Sequence, residues 1–448
     1  MKALLFAFLA ACVSPALAQE TPASQQTLPT APAPGTNFQD LIVPPGPWGR
    51  TSEELLPYLQ TLRFEWTSAD KNEARSTSPG LTVGSQSVSE TLIRLKEGKV
   101  ASLILLYYSR GNSGDINKRV FEDKLKAISD DLSAITKVQP VERGRIAGSA
   151  VRTDGLVWNT PETQYTLEWS GGKDMATGMY RAEFIRLTVL PAVKEQRAIG
   201  AATPSSYANR DAVKKFVGKD KVERLPDSTV RITGIPMVDQ GEKGYCVVAT
   251  TERVMRYYGA EVNQDELAQI ANSDAKEGTS VSAMVNSLRK LTSRLGVKIK
   301  AIYSWDINEI LDILKDYNRA AKKDKVDELR IEGNVIDVQE LLSKADPKVY
   351  REVRLKKTTD FGRFQREIAR SVDEGIPLLW SVNLGLVPEK NIPQYAGGHM
   401  RLIIGYDPKK NEILYSDSWG YGHEEKRMSF EDAWTITSGL YRMEPVGT

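Results

Sequence analysis

Two cysteines and two histidines are all that this chain of 448 residues contains. That scarcity excludes a scaffold stapled by disulfides and leaves too few ligands for a zinc site of the Cys/His type. Such a chain must fold by apolar burial, and its 41% hydrophobic content describes an ordinary folded protein. At this length two cores are expected, not one. The 60 basic and 58 acidic residues leave a formal charge of +2, too balanced for a dedicated nucleic-acid binder. No cofactor or metal is implied. The positions of the rare cysteines and histidines therefore carry most of the information.

Cys12 lies in a segment that begins with Lys2, continues through the apolar run Ala3 to Val13 and ends in Ala16-Leu17-Ala18. A charged start, a short apolar stretch and an Ala-x-Ala end make residues 1–18 a secretory signal, cleaved before Gln19. The apolar run is too short for a membrane span, and no later stretch approaches the length of one. The product is expected to be exported, periplasmic or extracellular, with no transmembrane segment. Leu9-Ala10-Ala11-Cys12 also resembles a lipoprotein box, so a lipid anchor on Cys12 is the alternative. Cleavage after Ala18 would leave Cys246 as the sole cysteine, without a disulfide partner. In an oxidising compartment an unpaired thiol is a liability unless it is buried or useful.

Residues 19–46 are rich in Pro, Thr, Ala and Gln and are expected to form a flexible tether. Residues 47–190 form an α+β accessory domain on this reading. Strands are expected at 89–95 and 100–109, around a Glu-Gly-Lys turn, and at 155–159, 164–170 and 180–190. Val120, Leu125, Ile128 and Leu132 have the spacing of a helix over 117–135. Nothing in this domain carries catalytic chemistry. A linker over 191–228, with one short helix at 210–217, leads to a second domain at 229–448. There the order is a short strand, helices, a charged helical stretch at about 300–375, and strands at 376–384, 399–406, 412–417 and 440–443.

The chemistry concentrates in two segments of the second domain. In the first, Val247, Val248, Thr251, Val254, Met255 and Tyr258 form one apolar stripe of a helix. Cys246 sits at or just before its first turn, where free N–H groups and the helix dipole favour a thiolate. Gln240 precedes it by six residues. In the second segment, Met400, Leu402, Ile404 and Tyr406 alternate with His399, Arg401, Ile403 and Gly405, an extended pattern. Asp407 to Asn411 reads as a turn. With its centre at Lys409, position 399 opposes 419 and 401 opposes 417, so His399 and Asp417 become diagonal neighbours on one face. Trp419 would lie beside the imidazole. A slip of one residue would send the pair to opposite faces.

These groups suit acyl chemistry. An imidazole can take the proton of a thiol, a carboxylate can hold that imidazole in one tautomer, and an amide N–H can bind the oxyanion that attack produces. Gln240, Cys246, Gly398-His399 and Asp417-Ser418-Trp419-Gly420, in that order, resemble the papain-like cysteine peptidases, most closely the C39-like peptidase group. The resemblance covers about residues 230–448. It implies an α+β papain-like fold, with N-terminal helices packed on an antiparallel sheet. It also implies Cys246 as nucleophile, His399 as base and then acid, Asp417 as orienting residue and Gln240 as oxyanion donor, acting on a peptide or protein substrate. Val247 stands where papain-like enzymes usually have an aromatic, and Lys-Gly-Tyr replaces their Cys-Gly-Ser/Ala.

His423, the other histidine, is expected in a solvated polar cluster, because "HEEK" lacks the second histidine of a zinc-protease motif. Lys322, Lys323 and Lys325 are interleaved with acids and read as a solvated face. Two other functions remain open from sequence: a non-catalytic cell-surface protein whose N-terminal domain recognises a partner or wall component, and a transglutaminase-like acyl transferase or amidase.

Overall fold

The computed structural model describes residues 38–78, 80–144, 151–174, 178–192, 213, 215–241, 244–260, 262–273, 279–290, 292–331, 336–392 and 397–446. The chain divides between Ser205 and Ser206 into two compact units. Each is a mixed architecture of helices and an eight-stranded antiparallel sheet. Among the described residues no helix is long and apolar enough to cross a membrane.

In the first unit the central strands are Glu90–Lys96, Lys99–Ser109, Tyr180–Pro191 and Thr163–Lys173, in that spatial order. Leu103, Leu105, Leu167, Leu187 and Val189 are inaccessible in its core. The Lys118–Thr136 helix, capped by Asn117, adds Phe121, Ile128 and Leu132 to it. Val120, expected on that face, is instead 48% exposed, and Phe121 takes its place. Phe38–Ile42, assigned to the tether, contributes to this core. Phe38, Leu41 and Ile42 sit at helical spacing and are buried, and Tyr165 Oη donates to the Ile42 carbonyl. The signal segment and residues 19–37 lie outside the described residues.

The second unit begins before position 229. Phe216, in the expected linker, packs 4.8 Å from the rings of both Tyr257 and Tyr258. Strand Val222–Arg224 pairs with Val230–Ile232. Of the expected helix at 210–217, positions 210–212 and 214 fall outside the described residues, and 215–217 are a turn and irregular chain. The sheet order is Val222–Arg224, Val230–Ile232, Gly397–Asp407, Leu378–Leu384, Thr437–Pro445, Val297–Ser304; Glu412–Ser416 pairs with Gly397–Asp407 and with Lys426–Ser429. The charged stretch does form helices, at Ile307–Asp324, Val338–Ser343, Pro347–Leu355 and Thr358–Asp373. Arg354 anchors the third of them: it is fully buried and donates to the carbonyls of Trp434 and Thr437.

Strand Gly397–Asp407 is the organiser of this unit. It pairs with Leu378–Leu384, with Val382 opposite His399, and with Glu412–Ser416. Gly405 is required where Val230 crosses, since a Cβ there would meet the Val230 carbonyl oxygen at 2.6 Å.

Candidate active site

Cys246 is the first residue of the Cys246–Tyr257 helix and is inaccessible to solvent. Its sulfur therefore lies at the positive end of the helix dipole. The expected apolar stripe is buried, but so is the face that carries Cys246, Thr250 and Arg253. That second face explains the placement of the helix. Thr250 Oγ1 donates to the carbonyl of Met400, next to His399, at 3.2 Å. Arg253 donates to the carbonyls of Asp417 (2.8 Å) and Pro236 (2.9 Å) and to Ser416 Oγ (2.6 Å). One and two turns beyond Cys246, the helix is thus tied to the two strands that carry the imidazole and the carboxylate.

His399 Nε2 and Asp417 Oδ1 are 2.9 Å apart, and both side chains are buried. The hairpin that joins them differs in detail from expectation. Beside the turn the pairs are Asp407 with Glu412 and Gly405 with Leu414; past an extra residue at Ile404 they are Ile403 with Tyr415 and Leu402 with Ser416. The turn is one residue wider than a centre at Lys409 implies, and the bulge restores the lost residue. The offset at His399 is then the expected one. The indole of Trp419 stacks on the His399 ring, with centroids 4.1 Å apart and planes 11° from parallel.

With Nε2 committed to Asp417, Nδ1 is the ring nitrogen left to exchange a proton with a thiol. Burial pushes the His399 pKa down; the hydrogen bond and charge of Asp417 oppose this, the Arg401 charge adds to it, and the net shift is downward. Burial alone would raise the pKa of Asp417. The Arg401 guanidinium and the His399 hydrogen bond outweigh it and hold that carboxyl well below the usual range.

Gln240 is 3% exposed, and Ser418 braces it at both its backbone and its side chain. Its N–H donates to the Ser418 carbonyl at 2.9 Å, and Ser418 Oγ donates to Gln240 Oε1 at 2.7 Å. Since the oxygen end of the carboxamide is occupied by a donor, the NH2 end is the one presented as a donor. Gly420 makes this turn possible: its φ is +78°, and a Cβ would come within 2.9 Å of Asp239 Oδ2.

Several contributors were not assigned from sequence. Ser418 enters the sequence reading only as part of a motif, and Thr250 and Arg253 do not enter it. Arg401 was a strand residue; it lies 2.8 Å from Asp417 Oδ1 and pairs with Glu389. His423 is a correction. Its ring lies edge-on to Trp419, its Nδ1 is 3.9 Å from Asp417 Oδ2, and its side chain is only 19% exposed. Its carbonyl accepts from the Asp417 N–H and Ser416 Oγ, so the chain after Trp419 folds back against the site.

In the uncleaved chain Cys246 is disulfide-bonded. A disulfide sulfur cannot act as a nucleophile, so any thiol chemistry belongs to the reduced protein.

Residues 232–441 match the Peptidase_C39 like family, a span that contains Gln240, Cys246, His399 and Asp417. No curated protein sequence matches the chain. Among solved structures, xylellain, a cysteine protease from Xylella fastidiosa, is similar at 14% identity, with 57% of this chain and 100% of that chain covered and a TM-score of 0.27.

Proposed function

We propose that the C-terminal region is a papain-like cysteine peptidase of an exported protein, which hydrolyses peptide bonds through a thioacyl-enzyme. Cys246 in its reduced form passes its proton to His399 Nδ1, and the thiolate attacks the substrate carbonyl. The oxygen that becomes negative is bound by the Gln240 NH2 group and the Cys246 backbone N–H. The imidazolium, oriented by Asp417, then protonates the departing amine. Water, deprotonated by the same imidazole, releases the acyl group and regenerates the thiol.

The observation that carries this reading is the His399–Asp417 hydrogen bond beneath the Trp419 ring, on strands clamped by Thr250 and Arg253 to the helix that begins at Cys246. The test is digestion of casein by the reduced protein, before and after Cys246→Ala. Wild-type digestion and its loss in the variant are expected. Digestion that survives the substitution rejects the mechanism.

A further inference from the structure

We infer that Arg401 is a positioning residue for the His399–Asp417 pair, fixed in turn by Glu389 and Tyr415. The inference rests on the cysteine-hydrolase reading above. Arg401 follows His399 by two residues on the same strand, so both side chains leave the same face of the sheet. Its side chain is inaccessible. Nε lies 2.8 Å from Asp417 Oδ1, the same oxygen that His399 Nε2 reaches at 2.9 Å. Nη1 reaches both Glu389 oxygens, at 3.2 and 2.9 Å, and Tyr415 Oη donates to Glu389 Oε2 at 2.7 Å. The guanidinium also sits over the Tyr415 ring at 4.8 Å and the Trp380 ring at 5.7 Å.

Two aromatic faces, a forked carboxylate and the orienting carboxylate leave this planar group one position. A fork held so tightly fixes Asp417 Oδ1, and through it the plane and tautomer of the imidazole. The charges do further work. Glu389, Arg401 and Asp417 sum to one negative charge, the complement of the imidazolium formed when Cys246 gives up its proton. Arg401 disfavours that imidazolium and Glu389 favours it, so the two residues set the basicity of His399 from opposite sides. The other charged or titratable groups facing the pair are Arg253 on the helix, Tyr415, His423 and Lys426. A pair that served packing alone would have no reason to share the oxygen that holds the ring.

The chain has only two histidines, so each can be titrated directly. In the reduced protein labelled with ¹⁵N-histidine, His423→Gln assigns the two rings. Arg401→Gln is expected to raise the apparent pKa of His399 by about one unit, and Glu389→Gln to lower it. Arg401→Lys keeps the charge but not the fork. It should leave that pKa within about half a unit while slowing acylation by p-nitrophenyl acetate about 10–100-fold through misplacement. Opposite shifts in the two neutralising variants support the inference; a His399 pKa that moves in neither overturns it. If Arg401→Gln does not fold, Glu389→Gln decides by the same readout. The titration needs no turnover, so a failure of the hydrolase reading, seen as digestion by Cys246→Ala, is recognised separately.

Discussion

Ser418→Ala removes one hydroxyl, yet it should slow acyl transfer without touching the nucleophile. Ser418 Oγ is the donor that holds Gln240 Oε1, and the pair is buried. Its loss removes a hydrogen bond with a net value of about 0.5–1.5 kcal/mol and lets the carboxamide turn its oxygen toward the developing oxyanion. That range corresponds to about a 2–13-fold slower acylation. Gln240→Ala removes the donor itself and should cost about 10²–10³-fold, or ~2.7–4 kcal/mol. Because Ser418 acts only through Gln240, the double variant should be no slower than Gln240→Ala alone. The coupling energy then equals the whole Ser418 effect, about 1 kcal/mol. The assay is the nitrophenolate burst with p-nitrophenyl acetate on reduced protein, set against the rate of alkylation by iodoacetamide. Alkylation displaces iodide and develops no oxyanion, so it should stay within about twofold of wild type in all three variants. Additive losses, or alkylation that falls in parallel with acylation, would refute the assignment of Gln240 and Ser418.

Other substitutions test other links. Asp417→Ala should slow the ester burst by about 10²–10⁴-fold, since it removes the acceptor that orients His399 and the charge that favours its imidazolium; an unchanged burst would remove Asp417 from the mechanism. Arg253→Met strips three hydrogen bonds, two of them from buried acceptors, and regains some apolar burial, for a net loss of about 3 kcal/mol. A urea midpoint for the C-terminal unit equal to that of wild type would contradict the clamp. The pH dependence follows from the lowered His399 pKa. Between that folded value and the unfolded value near 6.5, the unfolded chain binds more protons, so His399 makes stability rise with pH through that window. His399→Phe should flatten this part of the stability–pH curve, and an unaltered slope would show that the imidazole is not buried as described.

The parts of the site that follow local periodicity were legible in the sequence. Alternation placed His399 on a strand, and helical spacing placed Cys246 at the start of a packed helix. The hairpin shows the limit of that method. A four-residue turn at Pro408–Asn411 and a bulge at Ile404 shift the register by one residue each, in opposite senses, and neither leaves a mark in an alternating pattern. The face shared by His399 and Asp417 was anticipated because those shifts cancel. Arg401 was visible as a neighbour on the same face, but its counter-ion Glu389 comes from an earlier connection that no periodicity reaches. The lack of a second histidine near His423 suggested a solvated cluster, whereas the two turn glycines Gly420 and Gly422, both at positive φ, fold that segment back onto Asp417. Strand Val297–Ser304 was hidden by its lysines, which are the exposed half of an edge strand. Phe38 to Ile42 was obscured by the proline-rich composition around it, which outweighed three well-spaced apolar side chains.

Whether His399 governs the reactivity of Cys246 is decided most directly by the pH profile of Cys246 alkylation in the reduced protein. The account predicts that wild-type Cys246 reacts with iodoacetamide well below the range of an ordinary thiol, whose pKa is about 8.5, and that His399→Ala returns the profile to that range. A wild-type profile centred near an ordinary thiol, or one that His399→Ala leaves in place, would contradict it.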